Sequence, residues 1–253
     1  MSELLILPCH SIWKGGNANG DEREEWYLAP FQVEGYDHLS FKDHIKKSLD
    51  YLKNNSDSFL IISGGQTKQE AGPISESQSY YNLASSLLQS TELLNRVTTE
   101  EFARDSFENV IFLICRYFEL FQKYPDSVTI VGFEFKRNRF INNHLVQALD
   151  FPKEKLSYIG NEPDPKDLNE IDRAKYFQDL DNSEYNFAVK YFDSDWYGVQ
   201  GKLLKKKFDR NPFKRYHGYA YSNPQISDFI KALNGHTFSK SQDIKNSLNA
   251  PWS

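Results

Sequence analysis

The chain has 253 residues, 39% of them hydrophobic, 15% aromatic and 26% charged, with a formal net charge of −5. Its 15 Tyr, 19 Phe and 4 Trp supply apolar surface for a sizeable core and exclude a disordered polyelectrolyte. The negative balance argues against a chain-wide nucleic-acid surface, so any basic patch has to be local. The length allows one large domain or two small ones, and the reading adopted is one domain over 1–253, with a core to about residue 160 and an extension over 161–253.

The chain starts MSELLILPCHSIW, with no basic leader and an apolar run far too short for a signal peptide or a spanning helix. No other run approaches that length, and Cys9 and Cys115 are too few for a disulfide framework. The expectation is a cytoplasmic protein in a reducing compartment. LLIL (4–7), FLII (59–62) and VTIV (128–131) read as buried parallel strands. Between them, Phe41, Ile45, Leu49 and Leu52 recur at helical spacing, as do Phe107, Val110, Ile111, Ile114, Phe118 and Phe121, each set giving one apolar stripe to lay on a sheet. This alternation predicts strands at 4–8, 59–63 and 128–133 side by side in a mostly parallel sheet sandwiched by helices. KLSYIG (155–160) predicts a further strand, and 135–149 a helix with Phe140, Leu145 and Leu149 inward. Between Asn161 and Asp195 there are ten acids against four bases, and Lys202–His217 has seven Lys or Arg against Asp209 alone. The plain expectation is that these two blocks offset one another on a solvated surface.

In an open parallel sheet the ligand crevice lies beyond the carboxyl ends of the strands. Ser63-Gly64-Gly65 leaves the second strand there, where backbone N–H groups uncrowded by Cβ atoms suit a phosphate or carboxylate; taken alone, a GG pair is better explained as a plain tight turn. Ser75-Glu76-Ser77-Gln78 reads as a capping box with Glu76 in the first helical turn, and Asp105-Ser106-Phe107-Glu108 as a second. Capping accounts for both acids, but not for both openings facing one crevice.

Together the segments SGGQ…SES, EEFARDSFEN (100–109) and VGFEFKRNRF (131–140) resemble the three blocks of the SanA/YdcF-like family, domain of unknown function 218. That family shows SGG followed by SEA, then E-[DE]-x-[AS]-x-[ND]-[TS]-x-E-N, then VTS-x-x-H-x-x-R. Ser63, Gly64, Gly65, Ser75 and Glu76 match the first block, Glu100, Glu101, Asp105, Ser106, Glu108 and Asn109 the second, and Arg139 the end of the third. The resemblance covers about residues 4–150. It implies a Rossmann-like three-layer α/β/α sandwich with the motif residues at the carboxyl edge of the sheet. Gly132-Phe133 replaces the family's Thr-Ser and Lys136 its His, which shifts that position from proton transfer towards anion binding.

The expected ligand is therefore an anionic, nucleotide-like or phosphate-bearing small molecule. Ser63, Gly64, Gly65, Ser75, Glu101, Ser106, Asn109, Lys136 and Arg139 would hold it, with Glu76, Glu108 and His10 as catalytic candidates. His10 belongs here because it follows the first strand at the same edge, although an isolated His is more often structural. The activity class is a hydrolase or transferase, or else a ligand-binding or adaptor protein on the same fold. No Cys/His metal spacing occurs. A hard cation such as Mg²⁺ on Glu76, Glu101 and Glu108 suits carboxylate chemistry, but nothing in the sequence sets its geometry. Residues 202–221 interleave bases with Phe208, Phe213, Tyr216 and Tyr219. That pattern serves single-stranded nucleic acid, an anionic membrane, the phosphate tail of a ligand, or plain docking on the acidic block.

Overall fold

The computed structural model describes residues 1–88, 91–234 and 240–252. Five parallel strands form one sheet in the order β3-β2-β1-β4-β5, with β1 Glu3–Pro8, β2 Ser58–Ser63, β3 Val97–Glu100, β4 Ser127–Phe133 and β5 Leu156–Asn161. The three predicted strands lie side by side as β2-β1-β4, with Leu5 opposite Leu60 on one side and Thr129 on the other. KLSYIG is β5. The edge strand β3, VTTE, is absent from the sequence-based expectation: four residues with three of them polar leave no apolar run to read.

Both faces of the sheet are covered, which explains why its central strands carry near-continuous apolar runs rather than alternating. Leu5, Leu7, Leu60, Ile62 and Val131 point to one face, where they meet Phe41, Ile45, Leu49 and Leu52 of α1 (Asp37–Asn54) and Tyr80, Leu83 and Ala84 of α2 (Glu76–Leu87). Leu4, Ile6, Ile61, Val128 and Ile130 point to the other, against Val110, Ile111 and Ile114 of α3 (Glu108–Phe121). The fold is a Rossmann-like three-layer α/β/α sandwich. Each fully buried Ile or Leu contributes roughly 2 kcal/mol, and truncating Ile130, whose neighbours β1 and β5 cannot collapse onto a void, would cost roughly 3 kcal/mol.

The C-terminal third joins the α3 face: Phe192, Tyr197, Leu203, Tyr219, Phe229, Ile230, Ile244 and Trp252 belong to the same apolar cluster as Phe107 and Phe112. Its helices are α4 (Glu170–Glu184), α5 (Lys190–Phe192), α6 (Gly201–Asp209), α7 (Tyr219–Ser222), α8 (Ser227–Asn234) and α9 (Ser241–Lys245). Among them α4 buries none of its residues. The predicted 135–149 helix forms as a π-type helix over Arg139–Ala148, with Phe140, Leu145 and Leu149 inward. No helix among the described residues is long and apolar enough to cross a membrane.

Candidate functional site

The strand order reverses between β1 and β4, and the loops leaving them diverge to opposite sides of the sheet, which opens a crevice at their carboxyl ends. A cavity of about 930 Å³ lies at this switch point. His10, just past β1, and Lys136, just past β4, meet in its lining, Lys136 Nζ lying within hydrogen-bond distance, 3.4 Å, of His10 Nδ1. The His10 backbone is pinned on both sides: its N–H donates to the Tyr80 hydroxyl (3.3 Å), and its carbonyl accepts from the Gln32 amide (3.0 Å). Its Nε2 is buried with no hydrogen-bond partner.

Lys136 lies over the faces of Phe133 and Phe135, at 5.0 and 5.4 Å, in place of a carboxylate partner. Burial, reinforced by Arg139, pulls its ammonium down to about 7. Burial, with Lys136 next, keeps His10 neutral by pushing its imidazole well below the usual range. Burial also raises Asp37, the first residue of α1, to about 7, with Lys136 opposing. From the C-terminal third, α6 sends Lys206 into the cavity, and Arg210 follows at its C-terminus. Lys206 is exposed to the solvent of this open cavity, yet the surrounding protein, and then Arg210, lower it to about 8. Among the described residues none of Lys136, Lys206 and Arg210 has a carboxylate within 4.0 Å. Arg139 does: Glu184 at the end of α4 binds its guanidinium at two points, 2.6 and 3.1 Å. Phe31, Phe135, Phe140, Leu168 and Phe187 give the cavity apolar walls, and Tyr176 of α4 lines it as well.

Of the residues expected from the sequence, His10, Ser106, Asn109, Lys136 and Arg139 line this cavity; Ser63, Gly64, Gly65, Ser75, Glu76, Glu101 and Glu108 do not. The glycine turn is corrected most plainly. The Gly64 N–H donates to the Glu100 carbonyl (3.1 Å) and the Gly65 N–H to the Ala103 carbonyl (2.8 Å), while their own carbonyls accept from Ser77 and Glu76. These groups are spent inside the fold rather than offered to an anion. A Cβ on Gly65 would stand 2.9 Å from the Ala103 carbonyl oxygen, and one on Gly64 2.8 Å from the Glu76 Cβ, so both glycines answer to close packing between β2, α2 and the segment after β3. Ser63 Oγ donates to Asn109 Oδ1 at 2.9 Å, tying β2 to α3.

The two capping readings hold in part. Ser75 Oγ accepts from the Gln78 N–H (2.9 Å), but the Gln78 side chain donates to Asn82 instead of reaching back. Asp105 accepts from the Glu108 N–H (2.8 Å), and Glu108 reaches back to the Arg104 N–H (2.9 Å). As a catalytic base Glu108 is excluded by its partners. Against burial, which alone would raise it, Lys207 at 3.2 Å and Arg104 at 2.7 Å hold its carboxyl down at about 2. Glu76 is buried beside Cys9 and accepts from the Thr67 hydroxyl; burial, opposed by Arg210, raises it. Glu101 pairs with Arg215 at 3.5 Å on a separate cavity of about 250 Å³ at the end of β3. The carboxylate triad imagined for Mg²⁺ therefore does not fit, and among the described residues no three His, Cys, Asp or Glu side chains group to hold a metal.

Sequence reasoning missed Asp37, Tyr176 and Glu184, and placed Lys206 and Arg210 only within a basic block. The phosphate-tail reading of 202–221 was the signal that pointed to those two. The offsetting-blocks expectation fails: no ion pair among the described residues joins the two blocks. Arg139, Arg173, Lys175 and Arg23 neutralise acids of the first, while Lys205, Lys207 and Arg215 of the second pair with Asp209, with Asp105 and Glu108, and with Glu101.

No family model and no solved structure matches this chain. It is 39% identical over 262 residues to the uncharacterized protein YOR238W of Saccharomyces cerevisiae, an alignment covering 86% of each chain. The chain belongs to the same family as that yeast protein. The shared length reaches beyond the motif-bearing half, since 86% of this chain must include part of the extension that supplies the cavity's second wall.

Proposed function

We propose that this protein binds a nucleotide-like or phosphate-bearing small molecule in the cavity at the β1/β4 switch point. The observation that carries the reading is the convergence of Lys136, Lys206 and Arg210, none with a carboxylate within 4.0 Å among the described residues, on a cavity walled by aromatic side chains. Cations gathered without counter-ions repel one another and cost stability, a cost that an anion between them removes. The Phe135 and Tyr176 rings suit a planar group attached to that anion. The motif order, with Ser106, Asn109 and Arg139 at the carboxyl edge, also supports placing the family among SanA/YdcF-like proteins. The free thiols Cys9 and Cys115 agree with a cytoplasmic setting.

In the enzymatic form of this reading, a hydrolase or transferase, His10 and Asp37 are the proton-handling pair. Asp37, raised to about 7, can give a proton to a leaving oxygen near neutrality, and the cations take up the charge that develops on phosphoryl oxygens. The competing form is a ligand-binding or adaptor protein without turnover. The commitment of Glu108 to Arg104 and Lys207 favours it, because it removes a carboxylate that the sequence motif offers for catalysis.

The test is a panel of nucleotides and phosphomonoesters read by thermal shift and by ³¹P NMR. At least one member should stabilise the protein, and Lys136→Met should abolish that stabilisation; product formation selects the enzyme and its absence the binding protein. A panel that leaves the melting temperature unmoved, or a Lys136→Met protein that responds like the parent, contradicts the proposal.

A further inference from the structure

Apart from Lys175, which pairs with Asp179, the cations of the cavity come as two pairs on two separate elements. Lys136 and Arg139 stand three apart just after β4, while Lys206 and Arg210 stand four apart at the end of α6. Spacings of three and four put like charges on one helical face, where they repel. The two pairs also act on each other: Lys206 and Arg139 each work against the charge on Lys136, and Arg139 and Arg210 each work against the charge on Lys206. Arg139 is offset by Glu184, which leaves Lys136, Lys206 and Arg210 without a carboxylate in direct contact; Asp37, Glu184 and Asp105 act on the two lysines only from beyond 4.0 Å. The other lining acids are Glu34, Asp37, Asp105, Asp172 and Asp179; Asp105 pairs with Lys207 and Asp179 with Lys175, and none of the five lies within 4.0 Å of these three cations.

Resting on the phosphate-ligand reading above, we infer that the site takes a diphosphate, one phosphoryl group seated on Lys136 and Arg139 and its neighbour on Lys206 and Arg210, so that the ligand class is a nucleoside diphosphate or another pyrophosphate ester rather than a monophosphate. A monophosphate reaches one arm and leaves the other pair repelling. A diphosphate would bridge both, and its negative charge supplies the direct counter-ion that Lys136, Lys206 and Arg210 lack. Arg210 matters because a planar guanidinium can grip two oxygens at once, whereas each lysine acts as a point charge; Arg139, whose Nε and Nη2 are held by Glu184 and Nη1 by Ser106, contributes charge rather than a two-point grip. Cavity size is compatible, since about 930 Å³ lies in the upper range of small-molecule sites.

Calorimetric titration of the full chain with orthophosphate and with pyrophosphate, at equal ionic strength and without divalent cations, tests this. Pyrophosphate should bind at least about tenfold more tightly, the effect of one extra charge-assisted contact set. Arg210→Ala and, separately, Lys206→Met should each bring the two affinities to within about threefold of each other, with circular dichroism confirming the fold. Two substitutions are used because Arg210 also donates to the Arg104 carbonyl at 3.1 Å. Lys205→Ala, which removes a surface charge paired with Asp209, should leave the preference intact. Equal affinities in the parent protein, or a preference that survives both α6 substitutions, overturn the diphosphate assignment while leaving a monophosphate site standing. Binding of neither anion, followed by no response to nucleoside mono- and diphosphates, overturns it together with the proposed function.

Discussion

Arg139 and Glu184 form a two-point ion pair, Nε to Oε1 at 2.6 Å and Nη2 to Oε2 at 3.1 Å, that ties the helix after β4 to the end of α4. Both side chains are about nine-tenths buried, and Arg139 also donates to Ser106 Oγ. The residues of α4 are otherwise exposed or half-buried, so this pair anchors the cavity's outer wall, and it uses a cation that an incoming anion would also attract.

Glu184→Gln should therefore free Arg139 for the ligand and loosen α4 together. The expected result is an affinity for inorganic phosphate raised about fivefold, with faster amide exchange across 170–184, read by calorimetry and hydrogen-exchange mass spectrometry. Unchanged exchange in α4 would mean that other contacts hold it.

Glu108→Gln separates structure from catalysis. Glu108 is buried between Arg104 and Lys207, and Gln keeps its shape while removing its charge. Breaking such a buried pair costs about 3 kcal/mol, so the melting temperature should fall by several degrees while phosphate affinity of the folded protein stays within about twofold. Because the Glu108 carboxyl is held at about 2 against an ordinary 4.5, its contribution is fully present above the ordinary value. It is lost as pH falls towards the folded one, and the parent and variant should converge in stability in acid.

Gly65→Ala asks what the glycine turn is for. The added Cβ meets backbone oxygens of Ala103 and Glu101, at 2.9 and 3.4 Å, which cannot rotate away. A stability loss of about 1–3 kcal/mol follows, measurable by urea denaturation, with ligand affinity of the folded fraction unaltered. A selective loss of affinity would restore the turn as an anion cradle.

Anion binding should weaken as pH rises through neutrality. Lys136 loses its proton around 7 and Lys206 around 8, while Asp37 gains negative charge around 7. Sulfate is the suitable probe because its own charge is constant between about pH 6 and 9. Its affinity should be highest at the acid end and fall by at least about tenfold across that range. Bound sulfate should draw the midpoint upward by stabilising the charged lysines. The ligand-free protein should show the opposite trend from Lys136: its folded value lies below the ordinary 10.5, so between the two the unfolded chain holds more protons and stability rises with pH.

The sheet was readable because its central strands are buried on both faces and leave unbroken apolar runs; β3, short and at an edge, left none. The switch point followed in principle from parallel strands, and it brought Lys136 and Arg139 together as the motif order suggested, with His10 beside them as its place just past β1 suggested. Glu76 and Glu108 misled because a first-turn acid looks alike whether it faces a ligand or an ion pair. For Glu108 the local Arg104 acts together with the tertiary position of Lys207, about a hundred residues away along the chain, which no local pattern shows. Nor could local sequence reveal that α6 places Lys206 in the cavity and Lys207 on Asp105 and Glu108. Adjacent lysines on one helix differ by the angle at which α6 packs, and that angle is set by Leu203 and the rest of the shared core.

A crystal structure of the protein soaked with pyrophosphate tests the central claim most directly. Density for the anion between Lys136 and Arg139 on one side and Lys206 and Arg210 on the other is the predicted result. Density at the Ser63-Gly64-Gly65 turn or only on the outer surface, with the four cations unoccupied, would contradict it.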